Sequence, residues 1–406
     1  MSNFFLHFKY VHHIALSLLF LSLLLLGIEG LLRLKVGTAH IDDIGYIKKN
    51  GLVFLEPNAD RVVTGGNFQP IHVVTNEDGF PTRNTTLTTP TGTIRIAFMG
   101  NSFTKGFEVD YTKKFTSRVE QLMNEAGAPK SQKYEVLNFG NGAYTFVEQL
   151  FIYETFVKKY QPHYVFLITY PPTDLYRNDL FKNHKDYILK TPIAALTPEK
   201  VSLISTSTST TPTSTWELTR FKRRILSGIS ERINRFENNS NSFIKKMLYP
   251  ANNLLTRLGN IDNATNQKDG QFIDLTFTYM DPRSQEAEEA ILFSSKLALK
   301  LGQAVKKDGT HFGFIIIPNY WQVDPKYSEK LAVEQPTLEP GRWNRMFNET
   351  IGKIYPILDL YELCRRSIAE DHIQMFIRDT GHFTPTGHEI VAREIQSFIT
   401  QTFKTP

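Results

Sequence analysis

One cysteine, Cys364, in a chain of 406 residues rules out any intramolecular disulfide framework. It also rules out a structural zinc site built on thiolates. His382 and His388 stand six residues apart, which is no helical ligand spacing, and no second cluster accompanies them. No metal is implied, and no cofactor. A formal charge of +5 is modest for this length, and basic and aromatic residues do not interleave as they do in a nucleic-acid module. Nucleic acid is therefore not an expected partner. His388 reads as a residue that packs or caps the last helix, and His311 as the first residue of a strand.

A long apolar run is present. Residues 14–34 are broken only by Glu29, Gly30 and Arg33 near their end, and as a helix they span roughly 30 Å, the thickness of a bilayer core. An uncleaved transmembrane anchor is favoured. A removable signal peptide, with a small-residue site at Gly37-Thr38-Ala39, is the alternative. A buried core helix would have to find cover on all sides of an apolar cylinder. Lys9 on one flank and Arg33 and Lys35 on the other leave orientation weakly marked, but an early apolar helix behaves as an export signal. The expected location is the cytoplasmic membrane, single-pass, with the long C-terminal part on the extracytoplasmic side.

Three stretches follow: residues 1–40 as anchor or signal, 41–90 as a lead-in around Thr75-Asn76-Glu77-Asp78-Gly79-Phe80, and 91–406 as the main domain. Apolar residues at helical spacing predict helices over 115–124, 148–159, 283–306 and 385–403. Apolar runs at 94–99, 136–139, 164–170, 312–317 and 357–360 predict buried strands. Such alternation implies an α/β fold with a parallel sheet covered on both faces, whose ligands bind beyond the carboxyl ends of the strands. An insertion at about 180–280 interrupts it. The serine- and threonine-rich tract 202–215 has too little apolar content for a fixed fold. A basic segment over 220–246 carries Phe221, Ile225, Ile229, Ile233 and Phe236 at helical spacing. It reads as a solvated helix face, with membrane-surface or anionic-polymer contact as the sharper alternative. Asn84-Thr85-Thr86 and Asn263-Ala264-Thr265 match glycosylation sequons.

The chemistry sits at the ends of the main domain. Gly100-Asn101-Ser102-Phe103-Thr104-Lys105-Gly106 directly follows one predicted strand, and Asp379-Thr380-Gly381-His382 precedes the last helix. A serine hydroxyl needs an imidazole to take its proton and a carboxylate to hold that imidazole in one tautomer. Each string has a bland reading: Gly-Asn-Ser is a common turn, and Asp379 or Thr384 could simply cap a helix. Between them lie Asn138-Phe139-Gly140-Asn141-Gly142-Ala143, after the second strand, and Pro171-Pro172-Thr173-Asp174-Leu175-Tyr176-Arg177-Asn178-Asp179, after the third.

Taken in this order, the motifs resemble those of the SGNH hydrolases, also called GDSL esterases and lipases. The resemblance covers roughly 90–180 and 310–400. It implies a flavodoxin-like three-layer α/β/α sandwich, Ser102 as nucleophile, His382 as base and Asp379 as the acid that orients it. It implies oxyanion donors from the Ser102 N–H and from the second block, where Ala143, preceded by Gly142, stands at the family's glycine. In the third block, Thr173 stands where the family has asparagine, with Asn178 four residues on as an alternative donor. In the first block, Asn101 replaces the usual aspartate. Membrane-tethered members act on O-acyl groups of surface polysaccharides, so the implied activity is hydrolysis of acetyl or short acyl esters, with an acylated glycan or small ester as substrate. O-acyl transfer to a sugar through the same acyl-enzyme is an alternative. A catalytically silent carbohydrate-binding or assembly protein on the same fold is another.

The apolar run sets a first test: the full chain is expected to stay with membranes through high-salt and alkaline washes, and a chain starting at His40 is expected to be soluble. Recovery of intact chain in the soluble fraction would exclude an anchor.

Overall fold

The computed structural model describes residues 46–49, 52–63, 70–106, 108–126, 132–142, 144–179, 182–196, 279–377 and 381–403. Contacts divide the chain into two units, Ile41–Thr210 with Gln271–Pro406, and Met1–His40 with Thr211–Gly270. The second unit lies outside the described residues, and with it the apolar run 14–34, the basic segment and the second sequon. The same holds for the serine- and threonine-rich tract. No helix among the described residues is long and apolar enough to cross a membrane.

The lead-in forms two antiparallel pairs: β1 (Tyr46–Lys49) with β2 (Leu52–Leu55), and β3 (Asp60–Val63) with β4 (Ile71–Val74). The main domain begins with β5 (Thr93–Gly100), α1 (Ser102–Lys105), α2 (Phe115–Glu125) and β6 (Lys133–Gly140). Next come α3 (Phe146–Ile152), β7 (Tyr164–Thr169), α4 (Pro171–Asp179) and α5 (Lys185–Lys190). After the undescribed stretch follow α6 (Gln285–Lys307), β8 (His311–Ile316), α7 (Tyr320–Val323), α8 (Pro325–Glu334), α9 (Arg342–Thr350), β9 (Ile357–Asp359), α10 (Tyr361–Ala369) and α11 (Pro385–Phe403). The helix predicted over 148–159 instead changes pitch, passing from α3 through a wide π turn at Tyr153–Val157 to a tight turn at Lys158–Tyr160.

Five strands, in the order β6-β5-β7-β8-β9, form one sheet in which every neighbouring pair is parallel. In chain order this is 2-1-3-4-5, the flavodoxin-like arrangement. Its strands are nearly continuous apolar runs because both faces are covered. Alternate side chains divide between two cores. Ala97, Met99, Leu137, Phe139, Val165, Leu167 and Phe314 pack with α3, α6 and α9. Ile96, Phe98, Val136, Phe166, Ile168, Ile315 and Leu358 pack with α2, α10 and α11. This is the three-layer α/β/α sandwich expected from the motif order.

One charged pair lies inside that apolar sheet. Arg95 is fully buried, its Nε 2.6 Å from Glu135 Oε2, and its Nη1 donates to the carbonyls of Leu87, at 2.9 Å, and Tyr160. Desolvating two charges is repaid only if the remaining donors and acceptors find partners, as they largely do here. Removing one partner strands the other. Arg95→Met is therefore expected to lower unfolding free energy by about 3–5 kcal/mol, read from urea melts, and the double change Arg95→Met/Glu135→Leu is expected to recover much of it.

Candidate active site

The turn that carries Ser102 is shaped by two glycines at strand ends. A Cβ on Gly100 would lie 2.3 Å from Thr104 Oγ1 and 2.7 Å from the Ile168 carbonyl. One on Gly140 would lie 2.4 Å from the Lys105 backbone nitrogen. Without side chains there, the ends of β5 and β6 close directly onto α1. Asn101 caps α1: its Oδ1 accepts from the Phe103 N–H at 3.0 Å. The helix stops after one turn because Gly106 takes a left-handed conformation (φ 56°), its N–H donating to the Ser102 carbonyl.

Ser102 and His382, 280 positions apart in sequence, meet above the sheet with Oγ 2.7 Å from Nε2. The histidine is carried by a pinned loop. Phe376 and Phe383 form a β-bridge, Ile377 N–H donates to the His382 carbonyl at 2.7 Å, and Thr384 N–H donates to the Met375 carbonyl. The Thr384 hydroxyl accepts from Gly387 N–H at 3.0 Å, capping α11. Phe103 sets its ring edge-on to the imidazole at 4.9 Å between centroids. Asp379 lies outside the described residues. The carboxylate seen at Nδ1 is another: Glu108 Oε1 is 2.6 Å away. The sequence reading missed Glu108, because no motif separates an acid in the loop after Ser102 from an ordinary surface residue.

Asn101 turns out to be matched to its surroundings. Its Nδ2 donates to both oxygens of Asp174, at 3.2 and 3.0 Å, and Asp174 also accepts from Thr169 Oγ1 at 2.8 Å and Tyr170 N–H at 2.9 Å. Burial pushes the Asp174 carboxyl up to about 7, against the opposing pull of those donors. An amide donor at position 101 therefore complements a buried acid close to Ser102.

The third-block expectations are altered. Asn178 does not reach the site: its Oδ1 accepts from Phe146 N–H at 3.0 Å and its Nδ2 donates to Ser294 Oγ at 2.9 Å, so its buried amide ties α4 to α3 and α6. Thr173 sits partly exposed in the first turn of α4, its N–H held by the Tyr170 carbonyl at 3.2 Å. In the second block, Gly142 is described and Ala143 is not. Their loop is anchored from both sides by one acceptor in the lead-in, the Val53 carbonyl, which receives Asn141 Nδ2 at 2.7 Å and the Tyr144 hydroxyl at 2.9 Å. Nothing in the sequence pointed to β2 as a support of this loop.

Behind the site lie buried basic groups. Lys105 is lowered to about 8 and Lys114 to about 7, in both cases chiefly by desolvation. His388, lowered to about 3 by burial and then by Lys114, stays neutral and accepts from Phe115 N–H at 3.2 Å. It packs α11, as expected. Beside the histidine loop a cavity of about 510 Å³ is lined by Tyr320, Tyr327, Asp324, Lys326, Gln374 and Ile377, among others. A Cβ on Gly381, next to His382, would lie 3.6 Å from the Tyr320 ring.

No family model matches the chain, and no curated protein matches it. Several solved structures are similar to it. An acetylxylan esterase from Geobacillus stearothermophilus has 11% identity and a TM-score of 0.37, over 75% of this chain and 94% of that one. A two-domain esterase active on acetylated mannans has 10% identity and a TM-score of 0.33, over 77% and 50%. A protein described as lipolytic and of the G-D-S-L family, from Desulfitobacterium hafniense, has 8% identity and a TM-score of 0.32, over 75% and 98%. At these scores the likenesses carry no argument about chemistry, which rests on the site geometry.

The Asn101–Asp174 contact sets a pH test. The folded carboxyl is raised above its usual 3.8, so the native state holds a proton that the unfolded chain releases, and stability falls as pH rises from about 4 to about 7. Asn101→Asp would place a second carboxylate against the first, and like charges this close cannot both ionise. The variant is expected to lose about 1–3 kcal/mol at pH 8 and less at pH 5.5, where one acid can donate to the other. Thermal melts at both values check the sign.

Proposed function

We propose that the protein is a serine esterase that hydrolyses acetyl or short acyl esters through an acyl-enzyme. The observation that carries the reading is the 2.7 Å approach of Ser102 Oγ to His382 Nε2, on a loop and a turn that are both fixed by backbone hydrogen bonds. Ser102 attacks the ester carbonyl while Nε2 takes its proton. The imidazolium then returns that proton to the departing alkoxide, and water repeats the cycle on the acyl-enzyme. A carboxylate at Nδ1 holds the tautomer, a role the motif resemblance assigns to Asp379. Backbone N–H groups of Ser102 and Ala143 are the proposed oxyanion donors, with Gly142 shaping the loop. Thr173 is left as the candidate side-chain donor.

The proposed substrate is an O-acylated glycan. The cavity beside the histidine loop supports this: it presents the rings of Tyr320 and Tyr327 together with Asp324, Lys326 and Gln374. Apolar ring faces can cover the C–H face of a sugar while convergent polar groups meet its hydroxyls. With an N-terminal anchor, the enzyme would work from the extracytoplasmic face of the membrane.

A fluorophosphonate probe is expected to label the wild type and not Ser102→Ala. Ser102→Ala and His382→Ala are each expected to lose at least about a thousandfold in kcat toward an aryl acetate and an acetylated oligosaccharide, with unchanged circular dichroism. Wild-type turnover by Ser102→Ala would overturn the reading.

A further inference from the structure

We infer that Glu108 is the positioning carboxylate of His382, a role that neither the motif order nor any solved likeness assigns to it. The inference rests on the serine-esterase reading above and deepens it.

The contact is a close ion pair rather than an aligned hydrogen bond. Glu108 Oε1 lies 2.6 Å from His382 Nδ1, on the opposite side of the ring from Ser102 Oγ at Nε2. The glutamate side chain is only 10% exposed and the histidine 20%, so their interaction is weakly screened. Local structure explains how an acid six residues after the nucleophile reaches this place. Gly106 turns the chain through a left-handed conformation at the end of α1. Its bareness also matters, since a Cβ there would lie 3.3 Å from both His388 Cε1 and Lys114 Cγ. Beyond the glutamate, Val109 is buried and Asp110 fixes the loop, its carboxylate accepting from the N–H groups of Thr112 and His72 at 3.0 Å. The loop that holds Glu108 is thus anchored at both ends.

Lys105, Lys114 and Asp110 all act on this neighbourhood, and Glu108 raises both lysines against their desolvation. The carboxylate thus has two buried lysines and the imidazole as neighbours. A negative charge this close to Nδ1 favours a proton on that nitrogen, leaves Nε2 to accept from serine, and stabilises the imidazolium once it forms. Nucleophile and acid would then come from one short segment, Ser102 to Glu108, with the base supplied from the far end of the chain.

Glu108→Gln, Glu108→Asp and Asp379→Asn test the assignment in the full chain. Glu108→Gln keeps the shape and removes the charge, so kcat for an aryl acetate is expected to fall about a hundredfold or more with KM nearly unchanged. The low-field proton resonance of the His382 Nδ1–H is expected to move upfield. Fluorophosphonate labelling should slow in step with kcat yet reach full stoichiometry, which separates a slow folded enzyme from a misfolded one. Glu108→Asp keeps a charge near the lysines but draws it back by one methylene. It is expected to melt like the wild type and to remain slow, whereas a role confined to balancing Lys105 and Lys114 would leave it at the wild-type rate. Full kcat and an unmoved resonance in Glu108→Gln, with both lost in Asp379→Asn, would overturn the proposal. That result would leave the esterase reading standing, while a wild type that neither labels nor turns over ester would remove the esterase reading itself.

Discussion

The site depends on backbone crowding at the carboxyl ends of two adjacent parallel strands. Gly100 and Gly140 leave no room for a side chain, so β5 and β6 run directly against the single turn of α1, with the Lys105 nitrogen over one glycine and Thr104 and the Ile168 carbonyl over the other. Ser102 sits at that crossing, as the first residue of α1. From this follows the rest of the arrangement. The cap of Asn101, the left-handed stop at Gly106 and the loop bearing Glu108 all belong to the segment that leaves this crossing. The sheet order places it at the switch point between β5 and β7, where α/β sheets open a crevice.

Buried charge is distributed with a division of labour. At the amino ends of the strands, Arg95 pairs with Glu135 and donates to backbone carbonyls, which secures the sheet far from Ser102 and His382. At the carboxyl ends, charge is less completely balanced: Asp174 is lifted toward neutrality by burial, and Lys105 and Lys114 are lowered by it. Groups with pKa values drawn toward neutrality by desolvation are costly to keep, and their concentration around Ser102 and His382 agrees with a site that moves protons. Fold energetics and site chemistry thus occupy opposite ends of the same strands.

Much of this was readable from residue order. Apolar runs bounded by turn residues marked every strand of the main sheet, and the final helix over 385–403 was found at its observed bounds, because buried parallel strands leave continuous apolar runs and long amphipathic helices a strong period. Ser102 and His382 were readable because the serine must follow a strand and the histidine must precede a helix. Glu108 was not, since a single acid in a loop has no period and no neighbouring pattern. Nor was the fate of Asn178, whose amide is consumed by Phe146 and Ser294, residues 32 and 116 positions away.

The amino-acid sequence by itself determined the α/β class, the parallel alternation and the places of Ser102 and His382 at the ends of the main domain, because each of these is set by local pattern and chain order. Tertiary structure alone decided the partners. It brought the Val53 carbonyl of the lead-in under the Gly142 loop, matched Asn101 to Asp174, and set Glu108 at the imidazole. Such pairings depend on distances of a few tenths of an ångström between segments remote in sequence, and a hydrogen bond or ion pair leaves no periodic trace in either segment. Local signals can say where a reactive side chain starts, but only packing selects the group that faces it.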